Sequence, residues 1–308
     1  MSSTAQAEQR QPSARPRPDV QGTAARGGGT SGRQRSRRAS ILIWIGVAAT
    51  IIFCLFPFYW IISTSLKTGA ELSTGNLIPH HPSFANYSSI FRNGDFTKAL
   101  ETSAIDAGAA TLISLVIGSF AAYALARLRF PRKFLILAII LSISTFPPIA
   151  IAAPVFKIWT DIGLYNTYLG LILPFLTFVL PLTIYILVSF FREIPKELEE
   201  AALVDGATHF QAYRKVVLPL AAPGLVTAGL LAFIFAWNEF LLSITLTSTA
   251  ARRPVSAAIA FFTGSSQFQI PIGTISAALV TITVPLIVLV VIFQKRIVAG
   301  LTAGAVKG

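Results

Sequence analysis

Acidic side chains cluster in one short segment of this 308-residue chain. Five of its 13 Asp and Glu residues fall there, mixed with or followed by Lys and Arg residues. The five acids are Glu193, Glu197, Glu199, Glu200 and Asp205. The sequence on both sides is strongly apolar, so water or a protein partner must cover this many charges. Ionic contact with a partner is the chemistry that the segment offers.

Helix signals divide the charged segment into two short helices set at an angle. Pro195 suits the first position of a helix, where its missing N–H costs nothing, and the acids that follow lie near the positive end of the helix dipole. Gly206 supplies a left-handed stop. Thr208 and Gln211 have the spacing of a capping box, which opens a second helix. The prolines that end this second helix are Pro219 and Pro223.

A second candidate for chemistry is Glu239, the one acid set clearly within an apolar run. An ionisable side chain in a membrane span usually faces a polar interior, so Glu239 and its neighbour Asn238 are candidates for the translocation path or a gate. The sequence leaves one alternative open, in which Glu239 lies near the outer interface and forms a hydrogen bond with another helix.

The composition around these residues is that of an integral membrane protein. Hydrophobic residues make up 54% of the chain and charged residues only 12%, which is too few polar groups to cover a soluble globule of this size. The net charge is +12, but most Lys and Arg residues lie in the first forty positions or at the ends of apolar spans. Membrane topology explains that placement, so we expect no nucleic-acid partner.

The sequence predicts an all-α polytopic membrane protein with six transmembrane helices, each long enough to cross about 30 Å of hydrocarbon. Their predicted bounds are 41–66, 107–126, 134–156, 162–191, 216–240 and 274–293. The third span contains Pro147 and Pro148, which predict a bent helix. A bend of this kind either lines a cavity or serves packing, and the sequence leaves both open.

Two tails flank the predicted membrane domain. Residues 1–40 are rich in Arg, Gly, Pro and Ser, and we expect a disordered basic tail. The six-helix domain covers 41–296 and contains the charged loop 192–222, and 297–308 form a short tail. Most Lys and Arg residues fall on the side of both termini and the charged loop, so the positive-inside rule places these segments in the cytoplasm.

The first outer loop, 67–104, is polar and is predicted to contain a short helix over 86–91. It also carries the adjacent pair His80 and His81. Neighbouring residues rarely aim at one ion, and no carboxylate or Cys supports the pair, so we expect a solvated loop and no metal site.

Several function classes lack the residues that they require. The sequence contains no phosphate-binding loop in the right context and no metal constellation, so we expect no enzymatic activity and no bound cofactor. An ion-coupled secondary transporter needs ion ligands within the membrane, and neither these nor an inverted repeat is visible. That class is the less favoured alternative.

The charged loop resembles a known family signature. Glu200-Ala201-Ala202, then Gly206 after Asp205, and then Val216 with Leu218-Pro219 have the spacing of the EAA loop in the membrane subunits of binding-protein-dependent ABC importers. Val216 stands where Ile is usual. The resemblance implies a type I ABC importer permease fold, in which this loop is the cytoplasmic coupling helix that docks into a cleft on the ATPase subunit.

Four shorter segments resemble the carbohydrate-uptake group of these permeases, whose members are similar to the maltose permease subunit MalG. They are 57–67, 123–131, 166–170 and 236–240. The resemblance implies import of an oligosaccharide, a disaccharide or a glycerol derivative. An ABC permease for a non-sugar cargo is the alternative.

The resemblance also implies a set of partners in a bacterial cytoplasmic membrane. These are a second, unlike permease subunit, two ATPase subunits that use ATP, and an extracytoplasmic solute-binding protein. The outer loop before the sixth span is expected to contact that binding protein through Ser265, Ser266 and Gln267.

Overall fold

The computed structural model describes residues 31–92, 94–262 and 271–305, with side chains for 40–92, 94–262 and 271–294. Two compact units divide the chain, Met1–Leu55 and Phe56–Gly308. No β-strand occurs in the described ranges. The predicted all-α class is confirmed.

The described residues form a series of α-helices joined by turns. In chain order they are α1 (Ser31–Ser65), α2 (Ala85–Arg92), α3 (Asp95–Arg127), α4 (Lys133–Ser144), α5 (Pro148–Asp161), α6 (Tyr168–Glu193), α7 (Lys196–Val204), α8 (His209–Ala212), α9 (Leu218–Leu220), α10 (Ala222–Asn238), α11 (Leu241–Leu246), α12 (Val255–Ala258) and α13 (Ile272–Ala305).

Four stretches of these helices are long and apolar enough to cross a membrane. They are Ser40–Ser65, Asp95–Arg127, Tyr168–Glu193 and Ile272–Gln294. Two further helix pairs pass the same test only when taken together: α4 with α5, bent by 82°, and the helical stretch His209–Leu220 with α10, bent by 75°. Counting each bent pair as one span gives up to six within the described residues, which agrees with the predicted number.

The ends of the chain are more helical than predicted. Residues 1–30 lie outside the described residues, and α1 begins at Ser31, within the segment 1–40 that was expected to be a tail. The disordered tail stays a prediction. Arg, Gln and Ala favour a helix, and adding residues to a formed helix costs little. At the other end, α13 continues from the sixth predicted span to Ala305.

The predicted loop 67–104 is also partly helical. Its expected short helix exists as α2, but α3 begins at Asp95, well before the predicted start of the second span. The early start of α3 could have been predicted from an amphipathic pattern. Phe96 and Ala99 are buried while the residues between them are polar, so the outer part of α3 has one apolar face and a hydropathy too low for a span.

In the second unit α3, α6 and α10 pack against one another, and small residues permit their approach. Gly224 of α10 shows how close the helices are. A Cβ placed there would lie 2.4 Å from Cγ of Phe190 in α6. Small residues at such crossings are typical of membrane helix pairs.

The third predicted span is two helices instead of one bent helix. Pro147 is the N-cap residue of α5 and Pro148 opens that helix, which places the break where both prolines are tolerated. Pro147 is exposed and Pro148 is half-buried. Whether they line a translocation path stays a prediction.

Candidate coupling site

The coupling segment, residues 192–222, lies between α6 and α10 and begins with α7. Pro195 precedes the helix as its N-cap residue, and Glu197 and Glu199 occupy its first turn. After α7, Gly206 has φ +86°, and the backbone N–H of Ala207 donates to the C=O of Ala202 at 2.9 Å. The predicted left-handed stop is therefore present.

The second helix opens with the predicted capping box. The side chain of Thr208 accepts from the backbone N–H of Gln211 at 3.2 Å, and the Gln211 side chain accepts from the backbone N–H of Thr208 at 2.8 Å. The backbone N–H groups of Thr208 and Gln211, which have no partner within the helix, are thereby hydrogen-bonded.

The prolines do not end this second helix, so that prediction is wrong. A π-helical turn over Tyr213–Val217 follows α8, and the backbone N–H of Leu218 donates to the C=O of Tyr213. Pro219 lies in the first turn of α9, where its missing N–H is tolerated. The chain bends after Leu220, and Pro223 lies in the first turn of α10.

The family-signature residues are mostly on the surface. The exposed ones are Glu200, Ala201, Asp205, Gly206 and Pro219, and the partly buried ones are Ala202 and Leu218. Three large apolar side chains are exposed beside them: Leu198 at 45%, Val204 at 87% and Phe210 at 57%. We call Leu198, Glu200, Ala201, Val204 and Phe210 the docking face. Exposed apolar side chains next to acids are typical of a protein-binding surface.

Sequence reasoning missed the acid that points inward. Glu199 is 8% exposed, and its Oε2 lies 3.2 Å from Nε of Arg127 at the end of α3. The hydroxyl of Tyr123 donates to the other carboxylate oxygen of Glu199. The Arg127 guanidinium also donates to the C=O of Ile194 at 2.8 Å. Tyr123 and Arg127 are one turn apart on α3, but nothing in the sequence links them to an acid so distant in the chain.

A second set of contacts joins the coupling segment to α3. The ring of Tyr213 lies 5.1 Å from that of Phe120 and 5.0 Å from that of Tyr123, measured between centroids. Phe210 stacks on Phe120 at 6.4 Å. The Tyr213 hydroxyl donates to Oγ of Ser119, and both residues are buried.

A cavity of about 240 Å³ lies beside the contact between the end of α3 and the coupling segment. Its lining is Arg127, Leu128, Arg129, Lys196, Glu199, Glu200, Leu203 and His209. The charged walls make it unsuited to an apolar ligand. The exposed Glu200 and the buried Glu199 thus reach the same cavity from neighbouring positions of α7.

Glu239 and Asn238, the predicted pathway residues, both form hydrogen bonds with residues close to them in the chain. Glu239 is 8% exposed, and its carboxylate accepts from the backbone N–H groups of Leu242 at 2.9 Å and Ser243 at 3.0 Å. The carboxylate therefore satisfies two backbone N–H groups in the first turn of α11, the helix that follows it directly in the chain. Neither predicted role of Glu239 is tested by these local bonds. Asn238 is exposed, and its side chain donates to the C=O of Ile234 at 2.8 Å. A role in the translocation path stays a prediction.

Two further predicted sites concern the outer side. Ser265, Ser266 and Gln267, the expected contact with a binding protein, lie outside the described residues. Among the residues that the structure does describe, no group of three His, Cys, Asp or Glu side chains is placed to hold a metal ion.

The architecture matches a solved transporter. A bacterial ABC transporter that imports the acidic polysaccharide alginate has a chain of the same fold, with a TM-score of 0.73 and 24% identity, covering 85% of this chain and 98% of that one. The predicted ABC importer permease architecture is confirmed.

Sequence comparison gives the family. The trehalose transport system permease protein SugB of Mycobacterium tuberculosis is 52% identical over 274 residues, covering 89% of this chain and 99% of that protein. The trehalose/maltose transport system permease protein MalG of Thermococcus litoralis is 39% identical, covering 87% and 97%. Residues 114–302, which include the coupling segment, match the family model described as binding-protein-dependent transport system inner membrane component. This chain therefore belongs to the binding-protein-dependent transport system inner membrane component family.

Proposed function

We propose that this chain is one of two unlike permease subunits of an ABC importer for a disaccharide or similar small sugar. The observation that carries the proposal is the coupling segment. It is a folded helical unit between two spans, and it exposes acids and large apolar side chains together. A surface of this kind fits a cleft in an ATPase subunit.

The proposed mechanism assigns hydrolysis to the partners and motion to this chain. ATP closes the dimer of ATPase subunits, and the docking faces of the two permeases follow it. Rotation of the attached helices then turns the cavity between the permeases toward the outside, where the binding protein releases the sugar. In this scheme the chain is not an enzyme and binds no cofactor of its own.

The cargo is inferred from the relatives. SugB is named for trehalose and MalG for trehalose and maltose, and these sugars are disaccharides. A disaccharide cargo also agrees with the carbohydrate-uptake resemblance of the four short segments. The segment 265–267 is proposed to contact the extracytoplasmic binding protein that delivers the sugar.

The proposed location is a bacterial cytoplasmic membrane with both termini in the cytoplasm. The support is the distribution of charge: Lys and Arg residues are concentrated in the tails, after α3 and in the coupling segment. The coupling segment then faces the compartment that contains ATP.

Copurification tests the assembly. The tagged chain is expressed together with its neighbouring genes and extracted in mild detergent, and we expect an ATPase and one unlike membrane subunit to copurify. Reconstituted complex plus binding protein is then tested with radiolabelled trehalose, maltose, a glycosyl glycerol and methionine. Fastest uptake of methionine would contradict the sugar cargo. Transport by this chain alone along an ion gradient would contradict the whole proposal.

Glu200 provides the sharpest single-residue test of docking. We expect Glu200→Ala to remain in the membrane and to lose sugar-stimulated ATP hydrolysis, because truncating one partner of a charge pair at an interface costs about 2 to 5 kcal/mol. Glu197→Ala is the matched control, since Glu197 is also an exposed acid of α7. Equal loss in both variants would indicate a general charge effect instead of docking through Glu200.

A further inference from the structure

The coupling segment is held by a span to which it is not adjacent in the chain. Within the described part of the structure, the polar and aromatic side chains of residues 196–217 make their hydrogen bonds, ion pair and ring contacts outside that range with α3. Tyr213 and Val217 also share a buried apolar cluster with residues of α6. Through the contacts with α3, Glu199 anchors the first helix of the segment and Tyr213 anchors the second. Both anchors reach the cytoplasmic end of the same helix.

The covalent links from the coupling segment to α6 and α10 are not regular α-helix. Two residues join α6 to α7: Ile194 has extended backbone with ψ 127°, and Pro195, with ψ 133°, is also outside the helical region. On the other side, the chain passes through a π-helical turn and a 75° bend before α10. Neither link continues a regular helix from the coupling segment into a span, and such breaks are where helices change direction.

We propose that the buried ion pair of Glu199 with Arg127, supported by Tyr123, is the connection through which the docking face moves α3. The inference rests on the proposed function and names positioning residues for it. Glu199 belongs to α7 and Arg127 is the last residue of α3, so the ion pair joins the ends of two rigid helices directly. Movement of α7 then reaches the second span directly through this ion pair.

Burial keeps solvent away from this ion pair, which is a charge contact only, because Nε of Arg127 makes no hydrogen bond within the described residues. The side chains of Arg127 and Glu199 are only 4% and 11% exposed, so salt screens their attraction little. Arg127 also holds the C=O of Ile194, and therefore one guanidinium fixes the end of α6, α7 and α3 relative to one another. By contrast, Glu200 lines the same cavity but is exposed, so its carboxylate is accessible to the partner.

The test separates assembly from coupling in the complete complex, with its ATPase subunits, sister permease and binding protein. Glu199→Gln and Arg127→Gln are compared with wild type for ATPase copurification, basal hydrolysis and hydrolysis stimulated by binding protein with the best-transported sugar. We expect the ATPase to stay bound and basal hydrolysis to persist, while stimulation and uptake fall about tenfold. The charge-swapped double variant Glu199→Arg/Arg127→Glu is expected to recover part of the stimulation.

Two further variants keep the test decisive. Tyr123→Phe removes only a hydroxyl and preserves the ion pair, so it is expected to fold and to lose part of the stimulation. Glu197→Gln changes an exposed acid of the same helix and is expected to couple normally. Full stimulation in Glu199→Gln would overturn the proposal, as would loss of ATPase binding in all the variants of the pair. Failure of the unmodified chain to copurify an ATPase would instead overturn the proposed function.

Discussion

The hydroxyl of Tyr213 donates a hydrogen bond of 2.8 Å to Oγ of Ser119, and this bond joins the coupling segment to the C-terminal part of α3. Ser119 itself donates to the C=O of Val116 at 2.9 Å, so the Tyr213 proton completes the hydrogen bonding of a buried hydroxyl. The contact adds a second anchor on α3, separate from Glu199.

Tyr213→Phe is expected to lower stability slightly and to leave the ring contacts in place. Loss of one intramolecular hydrogen bond costs about 0.5 to 1.5 kcal/mol. Tyr213→Ala also removes the buried ring and is expected to cost about 3 to 5 kcal/mol, by analogy with other aromatic truncations. Thermal unfolding of the purified complex in detergent measures both. If the Phe variant were as unstable as the Ala variant, the hydroxyl and not the ring would provide the stabilisation by Tyr213.

Gly206 is expected to accept Asn better than Ala. Its φ of +86° lies in the left-handed region, where a side chain costs roughly 1 to 2 kcal/mol and Asn is tolerated better than other residues. There is open space around its Cα, so the strain comes from the backbone alone. We expect uptake in the order Gly, Asn, Ala, Pro at this position. Equal uptake for Ala and Gly would contradict a need for the left-handed stop.

Glu239 variants separate its two predicted roles. Glu239→Ala leaves the buried N–H groups of Leu242 and Ser243 without acceptors, at about 1 to 3 kcal/mol for each unsatisfied group. Glu239→Gln keeps only one of the two acceptor oxygens, so a capping role predicts a stability between those of wild type and Glu239→Ala, with uptake retained. A Gln variant that is stable but inactive in sugar uptake would show that the carboxylate acts in the translocation path.

Gly224→Ala is expected to disturb the packing of α10 on α6. The added Cβ would meet the ring and Cβ of Phe190 at less than 3.0 Å, and overpacking of this kind costs about 1 to 3 kcal/mol. Gly108→Ala is the matched control, because a Cβ there meets nothing within 4 Å. Comparison of their yields and melting temperatures in detergent gives the cost of the clash. Equal stability would mean that Phe190 moves aside freely.

Local signals allowed much of the coupling segment to be predicted. The stop at Gly206 and the capping box of Thr208 with Gln211 depend on residues close in sequence, and both occur in the structure. The prediction for the prolines was wrong because proline is tolerated in the first turn of a helix as well as just after its end. Pro219 and Pro223 both lie in a first turn. Which of these two uses applies depends on where the chain bends, and neighbouring helices decide that.

The sequence by itself determined that the chain is a helical membrane protein, how many spans it can form and which exposed motif identifies its family. Apolar length and spacing carry that information, since bilayer thickness and helix rise are fixed quantities. Only the tertiary structure decided which acid of α7 turns inward. Glu199 and Glu200 are neighbours of the same residue type, and the difference arises because Tyr123 and Arg127 of α3 happen to lie beside one of them. Contacts between residues so far apart in the chain follow from packing, which leaves no local pattern to read.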